Sequence, residues 1–539
     1  MITVLQREKQ TTNQITGNRR WWALAAVGVT MFFAAMNQTV VSTALPTIVA
    51  HLHGFSLYAW VLTAYILTSA VTVPIYGKLS DMYGRKPFYL FGLIMFMAGA
   101  AVSGLAHSME ALIAARAVQG IGGGAMLSMP RATIGDIFNP RERGRWMGLI
   151  VSIYGLASII GPTLGGWITD TLGWRWVFYI NLPFGLAAFV AVFYALPWVR
   201  TEHHAKLDWT GSLLLVLALL PILLAFTWAG NQFAWSSPQI LGLLLFGIAM
   251  LTLFIFNERN VEEPLLAPFL FANPIFRSAL AAGLLVSMAM FGSLLFLPLF
   301  AQSVLGLSAQ GSGIVLTPMM LSFITGSFVG GQIISRTGRY KAQAIIGSLI
   351  LLTGTVLLFQ MDKESGWPVV VRNMVILGVG IGTILPLLSV AIQNTFPYRV
   401  MGVVNATQQF TRSLGAVIAA PILGTILNNQ FSSRLKTNMP QQLQHAIGSL
   451  PTASRQALLD PQSLTSAHAQ EAIRSRFAAF GQQSDALYHQ FIQTVRTSLS
   501  GSFHVLFSLT VIFAAGTLIA CVLLKEVHLK QDEYYQNEG

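Results

Sequence analysis

The chain has 539 residues, of which 54% are hydrophobic and only 10% are charged. Soluble domains carry about a quarter charged residues, so this composition excludes an ordinary soluble protein and indicates one that crosses a membrane many times. The formal net charge is +12, but the basic residues lie in short segments between apolar runs. There they set orientation and meet anionic lipid, so we do not expect nucleic acid as a partner.

Residues for cofactor chemistry are sparse. A single cysteine, Cys521, excludes a disulfide within the chain and a thiolate metal cluster. No GxxxxGKS or GxxxxGKT phosphate loop occurs, and the histidine pairs at 51 and 53 and at 203 and 204 have no companion ligands. We therefore expect no cofactor, no metal ion and no enzymatic activity.

Fourteen apolar runs are each long enough to cross a bilayer, which takes about twenty residues. They lie at approximately 22–45, 58–77, 88–106, 111–135, 145–169, 176–196, 209–228, 239–257, 278–300, 312–334, 343–361, 369–395, 402–427 and 502–524. We therefore expect an all-α polytopic membrane protein with fourteen transmembrane helices. An even number of helices places both chain termini on the same side.

Lysine and arginine indicate which side that is. The segments on the side of the termini hold 20 of these residues, whereas the short segments on the other side hold three, Arg175, Lys363 and Arg372. By the positive-inside rule both termini are cytoplasmic. The segment 428–501 is too long for that rule, and its short amphipathic stretches predict an outer loop with surface helices.

Several residues recur at one offset. Transporters are often built from duplicated helix bundles, and here Arg116, Gly122, Gly124 and Pro130 are followed 256 positions later by Arg372, Gly378, Gly380 and Pro386. We therefore expect two six-helix repeats with a two-helix insert. The predicted parts are a cytoplasmic amino terminus (1–21), a first bundle (22–196), the insert with its linkers (197–277), a second bundle (278–524) and a cytoplasmic tail (525–539).

Three motifs resemble the signatures of one family. Gly77–Pro87, GKLSDMYGRKP, is similar to the signature between helices two and three of the major facilitator superfamily, and Arg116–Ala125, RAVQGIGGGA, is similar to its helix-four motif. Gly155–Gly166, GLASIIGPTLGG, resembles the helix-five motif of its antiporters. Thr39–Pro46 and Trp174–Gly185 are typical of the fourteen-helix drug/proton antiporter branch, which nearly the whole chain resembles.

The helix-five motif places small residues and a proline inside an apolar run. Small residues let a neighbouring helix approach closely in lipid, and Pro162 removes a backbone donor and bends the helix. We interpret the stretch as a hinge or seal between moving halves, with static packing as the alternative. The candidate hinge residues are Gly155, Gly161, Pro162, Gly165 and Gly166.

The motif after the second run groups charges at the cytoplasmic side. Asp81 lies where a helix dipole favours a carboxylate, and Asp136 is the evident partner for Arg85. The resemblance implies that this cluster latches the two halves when the site faces outward; ordinary loop charges are the alternative. Because Ser335 replaces the acid in the second copy, we expect a one-sided latch. The candidate latch residues are Gly77, Asp81, Gly84, Arg85, Lys86 and Asp136.

Arg116 is a cation inside an apolar run, and such a residue is costly to bury unless it has a polar partner or water. A rise of 1.5 Å per residue places it roughly 8 Å below the outer surface. Asn37 lies about 22 Å above the inner surface of a hydrocarbon core about 30 Å thick. The two residues are therefore at matching depth, and we take them as the candidate proton-coupling site.

Asn37 departs from the family pattern, since the resemblance implies an aspartate before Gln38 and Thr39. That aspartate takes the proton or faces cationic drugs, whereas an amide does not titrate. The acids that border the runs lie near helix ends. Three explanations stay open: protons are coupled elsewhere, transport does not use protons, or Asn37 is an engineered substitution.

By analogy with the fold, the substrate cavity is expected at the midplane, on helices one, four, nine and twelve. Methionine, phenylalanine and amides suit bulky apolar guests, with packing or lipid-facing roles as the alternative for each apolar candidate. The candidates are Gln38, Gln119, Met126, Met288, Phe291, Phe296, Gln393 and Asn394.

These features predict a secondary multidrug exporter of a bacterial inner membrane, for which the resemblance implies drug/proton antiport by alternating access. Its partners would be hydrophobic, in part cationic, small molecules, protons and membrane lipids. An exporter of lipids or lipid-like compounds is one alternative, favoured by the missing acid. A membrane-embedded sensor that binds a ligand without moving it is another, although the repeats and hinge motifs argue against it.

Overall fold

The computed structural model describes residues 18–52, 54, 57–137, 140–196, 208–229, 233–261, 268–396, 401–448, 471, 474–475, 477 and 484–526. Apart from one isolated bridge between Ala229 and Phe233, the regular structure of these residues is helical. A helix bonds its own backbone groups to one another, which is what a segment surrounded by lipid requires.

Each predicted run corresponds to a helix. The first half forms α1 (Asn18–Leu52), α2 (Trp60–Tyr83), α3 (Arg85–Gly104), α4 (Met109–Ile137), α5 (Pro140–Thr171), α6 (Trp176–Tyr179) and α7 (Asn181–Ala195). The insert forms α8 (Trp209–Trp228) and α9 (Pro238–Asn260). The second half forms α10 (Pro274–Ser303), α11 (Ala309–Thr337), α12 (Lys341–Phe359), α13 (Trp367–Gln393), α14 (Met401–Asn438), α15 (Gln441–Gly448) and α16 (Ser484–Val522).

The predicted all-α polytopic fold class is confirmed. With α6 and α7 taken as one, the described part of the chain forms fourteen long helices and the short α15. Eleven of its helical segments are long and apolar enough to cross a membrane, and α2 adds a shorter apolar stretch, Trp60–Val73. The boundaries of the predicted domains stay a prediction.

The segment 428–501 is less of a loop than expected. α14 continues to Asn438 and α16 already begins at Ser484, so two membrane helices extend beyond their predicted runs. Apolar side chains on these extensions, such as Phe431 and Phe491, are buried, and Asn438 Nδ2 donates to Ser498 Oγ at 3.2 Å. The extensions are therefore stabilised by apolar side chains that continue the main core of the protein. Residues 449–470 lie outside the described part.

Glycine allows the helices of each half to pack closely. α4 lies against α2 and α3, and a Cβ on Gly122 would collide with the carbonyl oxygen of Gly92 on α3. Thr68 and Ser69 of α2 donate to carbonyl oxygens of α4, the latter to Gly120 at 2.9 Å. α13 packs in the same way against α11 and α12. The two halves thus repeat one arrangement of helices.

The turns after α2 and α11 are also repeated. Gly84 has a φ of 90° and Gly338, 254 positions later, has a φ of 64°. Residues with a side chain rarely adopt such values, so both turns require glycine. The two copies therefore share this turn, at an offset of 254 positions where the motif of Arg116 recurs at 256.

The two halves meet along α5 and α11 and along α2 and α14. We call the side on which α1 ends and α2 begins the distal side, and the opposite side proximal. Distally, Tyr58 Oη donates to the carbonyl oxygen of Leu295 at 3.0 Å, and Gln302 Nε2 donates to that of Thr43 at 3.1 Å. The amide of Gln310 donates to Asp170 at 2.8 Å. These bonds close the distal side.

The insert packs beside the second half. α8 and α9 contact each other, and Phe226 of α8 accepts a hydrogen bond from Thr425 of α14 at 2.9 Å. Asp208 caps α8 by accepting from the amide of Gly211 at 2.7 Å, and its other oxygen accepts from Asn257 of α9 at 2.7 Å. One carboxylate therefore holds the two insert helices together at their proximal ends.

The contact of α5 with α11 provides a test of distal closure. A Cβ on Gly313 of α11 would collide with the carbonyl oxygen of Pro162, whereas one on Gly331 of the same helix meets open space. Gly313→Ala should therefore push the halves apart distally, and Gly331→Ala should not. Spin labels on His107 and Lys363, both exposed, measure the separation. An unchanged distance in Gly313→Ala would show that this contact does not set the closure.

Candidate functional site

The predicted pair Asn37 and Arg116 lies in direct contact inside the first half. Arg116 is fully buried, Asn37 is 1% exposed, and Gln119 beside them is fully buried. Arg116 lies seven positions into α4, about 10 Å along the axis from its first residue. Gln119 follows three positions later, on the same face of the helix.

Neutral groups from three helices surround the guanidinium. Arg116 Nη1 donates to Asn37 Oδ1 of α1 at 2.9 Å and to Gln119 Oε1 at 2.5 Å. Arg116 Nε donates to the carbonyl oxygen of Val61 on α2 at 3.3 Å. The ring of Tyr65 lies under the guanidinium, 4.3 Å from Cζ, in cation–π contact.

The charge of Arg116 has no carboxylate beside it. None of the described residues places one within ion-pair distance, and α1 contains no acidic residue at all. Glu110, the nearest acid along α4, is exposed at the first turn of that helix. A buried cation with only neutral partners keeps its electrostatic field, because hydrogen-bond acceptors replace hydration without cancelling charge.

Three donors of the cluster have no acceptor. Arg116 Nη2, Asn37 Nδ2 and Gln119 Nε2 are all buried without a hydrogen-bond partner. Each of the two amide nitrogens shares a carbon with an oxygen that Arg116 contacts, and Nη2 shares Cζ with Nη1. The free donors are therefore grouped around one end of the guanidinium. Buried polar groups are nearly always paired, so this group calls for an acceptor.

The other predicted cavity residues are not gathered at this cluster. Gln38 is half-buried next to Asn37, while Met126 and Met288 are buried. Phe291 is half-buried, and Phe296 is fully buried and stacks on Tyr58. Gln393 is exposed at the proximal end of α13, and Asn394 follows it, half-buried. None of these residues lines the grooves of about 680 Å³ beside Trp22 and about 410 Å³ beside Gln332.

The hinge candidates face two different neighbours. Cβ atoms on Gly161 and Gly165 would collide with or crowd Thr39, Thr43 and Val40 of α1, within the same half. Gly155 lies against Ile324 of α11, and Pro162 lies against Gly313, across the two halves. Gly166 is buried. The motif therefore seals α5 to α1 with one set of residues and meets the other half with another.

The latch candidates are described only in part. Of Gly77, Asp81 and Asp136 the structure describes only the helical backbone. Asp81 lies in the last turn of α2, so the expectation that a helix dipole favours its carboxylate is wrong. Arg85 Nη1 donates to Ser80 Oγ at 2.5 Å, and Lys86 Nζ lies 4.7 Å from the ring centre of Phe193. The latch stays a prediction.

Sequence reasoning missed the contribution of α2 to the Arg116 cluster. Val61 contributes only its carbonyl oxygen, and because every residue has one, the sequence cannot predict this contact. Tyr65 is an aromatic residue in an apolar run, and nothing distinguished it from lipid-facing neighbours. Gln119 was assigned to the cavity, although its spacing of three positions from Arg116 was the available signal for their contact.

Two repeated helix bundles, joined at glycine-lined contacts and holding a buried cation, are the architecture of a membrane transporter rather than an enzyme. The chain belongs to the Major Facilitator Superfamily, whose sequence model matches residues 27–420. It is 37% identical over 514 residues to the multidrug transporter protein MdtP of Bacillus subtilis (strain 168), covering 95% of this chain and 94% of that protein. Multidrug resistance protein 3 of the same strain is 35% identical, covering 91% and 92%.

A solved structure shares the fold. The crystal structure of a bacterial homolog to the human lysosomal transporter Spinster, in an inward-facing and unoccupied conformation, superposes with a TM-score of 0.65. It covers 94% of this chain and 98% of that one at 16% identity. The fold is thus that of a multi-span membrane transporter.

Asn37→Asp should stabilise the protein. The Asn37 amide nitrogen has no acceptor, so a carboxylate there loses no hydrogen bond and gains a charge opposite to Arg116. We expect a gain of about 1–3 kcal/mol in unfolding free energy at neutral pH. Thermal unfolding in detergent measures it.

Asn373→Asp is the matched control for this experiment. Asn373 is also buried beside an arginine, Arg372, but its amide donates to the carbonyl oxygen of Leu357 at 3.0 Å. A carboxylate there loses that bond, so this variant should not be stabilised. Equal effects of the two substitutions would contradict our account of the Arg116 cluster.

Proposed function

We propose that the protein exports hydrophobic small molecules by alternating access from a bacterial inner membrane, with both termini cytoplasmic. The observation that carries the proposal is the closed distal contact between two repeated bundles. The first bundle holds the Arg116 cluster within its membrane-spanning part. Relatives described as multidrug transporters over nearly the whole chain support the substrate class.

The chemistry of the distal contact supports alternating access. It includes single hydrogen bonds from Tyr58 and Gln302 to carbonyl oxygens and from the amide of Gln310 to Asp170, together with glycine approaches such as that of Gly313. Bonds of this kind are individually worth about 1–3 kcal/mol, so they separate without breaking either bundle. The contacts within each bundle are far more extensive, which favours movement of the bundles as rigid bodies.

Purified protein in sealed vesicles tests the function. We expect saturable, protein-dependent accumulation of a lipophilic fluorescent probe inside the vesicles when the proximal side faces the medium. Gly313→Ala should reduce the rate, and Gly331→Ala should leave it unchanged. Saturable binding without accumulation would instead identify a ligand sensor and reject the proposal.

The family implies antiport with protons. In this chain Asn37 occupies the position at which the family has the titratable acid. An amide does not titrate, so we expect the present chain to respond little to an imposed pH gradient in the export of cations. Asn37→Asp places a titratable group beside Arg116 and should create gradient-driven cation export. Asn373→Asp, which places its carboxylate in the other half, should not. Full gradient dependence in the unaltered chain would put the coupling site elsewhere.

We further propose that Asp81, Arg85 and Asp136 form a latch on the proximal side when the distal side is open. Asp81→Asn should remove one charge and shift the population toward the distally closed state, by up to about 1 kcal/mol if the pair is exposed. Spin labels on Trp22 and Arg339, both exposed on the proximal side, report the shift. Unchanged distances would show that these residues form no latch and only set the orientation of the protein in the membrane.

A further inference from the structure

The distribution of charge along the membrane helices is one-sided. Every acidic residue on the long helices lies within two positions of a helix end: Asp81, Glu110, Asp136, Glu142, Asp170, Glu258 and Asp485. Arginines do occur further in. Arg116 is seven positions into α4 and Arg412 is eleven positions into α14. The interior of the transporter therefore contains fixed positive charge and no fixed negative charge.

Arg412 gives the second half a cation of its own. It is half-buried, and its Cγ lies 3.7 Å from the Cβ position of Gly283 on α10. Near it on α14, Gln408 Nε2 donates to Ser389 Oγ of α13 at 3.0 Å. The second half therefore also carries a basic residue well inside a membrane helix.

The Arg116 cluster adds hydrogen-bond donors to this charge. Its three unpaired donors are two amide nitrogens and one guanidinium nitrogen, and the oxygens of Asn37 and Gln119 are already used by Arg116. What the cluster lacks is an acceptor, and an anionic one satisfies both the donors and the charge. Arginine binds carboxylate and similar oxyanions more strongly than neutral acceptors because the hydrogen bonds are charge-assisted.

We propose that the transporter selects lipophilic anions, and that the Arg116 cluster is the element that receives the anionic group of the transported compound. This inference rests on the proposed export function. In the distally closed structure the cluster is enclosed, and the half-buried Gln38 follows Asn37 along α1. Access therefore accompanies the movement of the bundles. A cation in the same place meets uncompensated positive charge in a medium of low dielectric constant, which repels it.

Three probes with one skeleton isolate the effect of charge. Pyrene-1-butyrate, pyrene-1-butyramide and (pyren-1-yl)butyl-trimethylammonium share their apolar part and carry charges of −1, 0 and +1 at pH 8. Binding to the purified full-length protein in detergent is measured by pyrene fluorescence for all three. Export of the two charged probes is measured in vesicles, with potassium and valinomycin holding the membrane potential at zero. We expect the anion to be exported at least about tenfold faster than the cation, and to bind at least about tenfold more tightly than either other probe.

Variants separate charge selection from loss of structure. Arg116→Gln should remove most of the tenfold preference, and Asn37→Asp, which pairs the charge internally, should abolish or invert it. The two controls are Arg372→Gln, which removes the exposed arginine of the second copy, and Asn373→Asp. Both should keep the ratio of anion to cation, whatever the amount of protein inserted. If Arg116→Gln does not fold, Asn37→Asp still decides the question.

The outcomes distinguish this inference from the proposed function. Export of the cation as fast as the anion by the unaltered protein, or an unchanged ratio in Asn37→Asp, would overturn the selection of anions and leave export intact. If none of the three probes is exported or bound, the proposed export of hydrophobic small molecules is rejected, and the inference with it.

Discussion

The buried guanidinium of Arg116 is the constraint on which the first bundle depends. Burying a cation in a membrane is costly unless polar groups replace its hydration. Here two amide oxygens, one backbone carbonyl and one aromatic face do so, and they come from α1, α2 and α4. The three helices must keep their relative positions for the charge to stay solvated. Because none of these partners is charged, the cluster is both a structural tie and a source of positive potential.

The glycines of α4 allow that cluster to form. They let α2 and α3 approach the backbone of α4 closely, which brings the carbonyl oxygen of Val61 and the ring of Tyr65 within reach of Arg116. The second half repeats the packing but not the site. Arg372 lies only five positions into α13, is exposed, and contacts its neighbour Asn373. Duplication has thus preserved the scaffold in both copies and buried the arginine of this motif in one.

The contacts between the halves are of a different kind from those within them. Within a half, interlocked glycines and apolar side chains leave little freedom. Between the halves, a few single hydrogen bonds, to carbonyl oxygens and to the carboxylate of Asp170, and a few glycine approaches close the distal side. The insert lies beside this interface, since α8 packs on α14 through Thr425 and also contacts α2. Motion of one half against the other therefore leaves the Arg116 cluster and the pairing of α8 with α9 intact.

The sequence by itself determined how this protein is arranged along the membrane normal. Run lengths predicted the fourteen helices, residues that recur 256 positions apart predicted the two repeats, and counting residues placed Asn37 and Arg116 at one depth. Each of these follows from the rise of a helix and the thickness of the bilayer.

Only the tertiary structure decided which residues contact each other. Gln119 accepts a hydrogen bond from Arg116, and Gly161 packs on α1. The extension of α14 and α16 beyond the bilayer depends on their packing against each other, which hydropathy does not report. The bilayer sets the position of a residue along its normal, whereas within its plane all directions are equally apolar. Rotation and neighbour choice are therefore settled by side-chain packing alone.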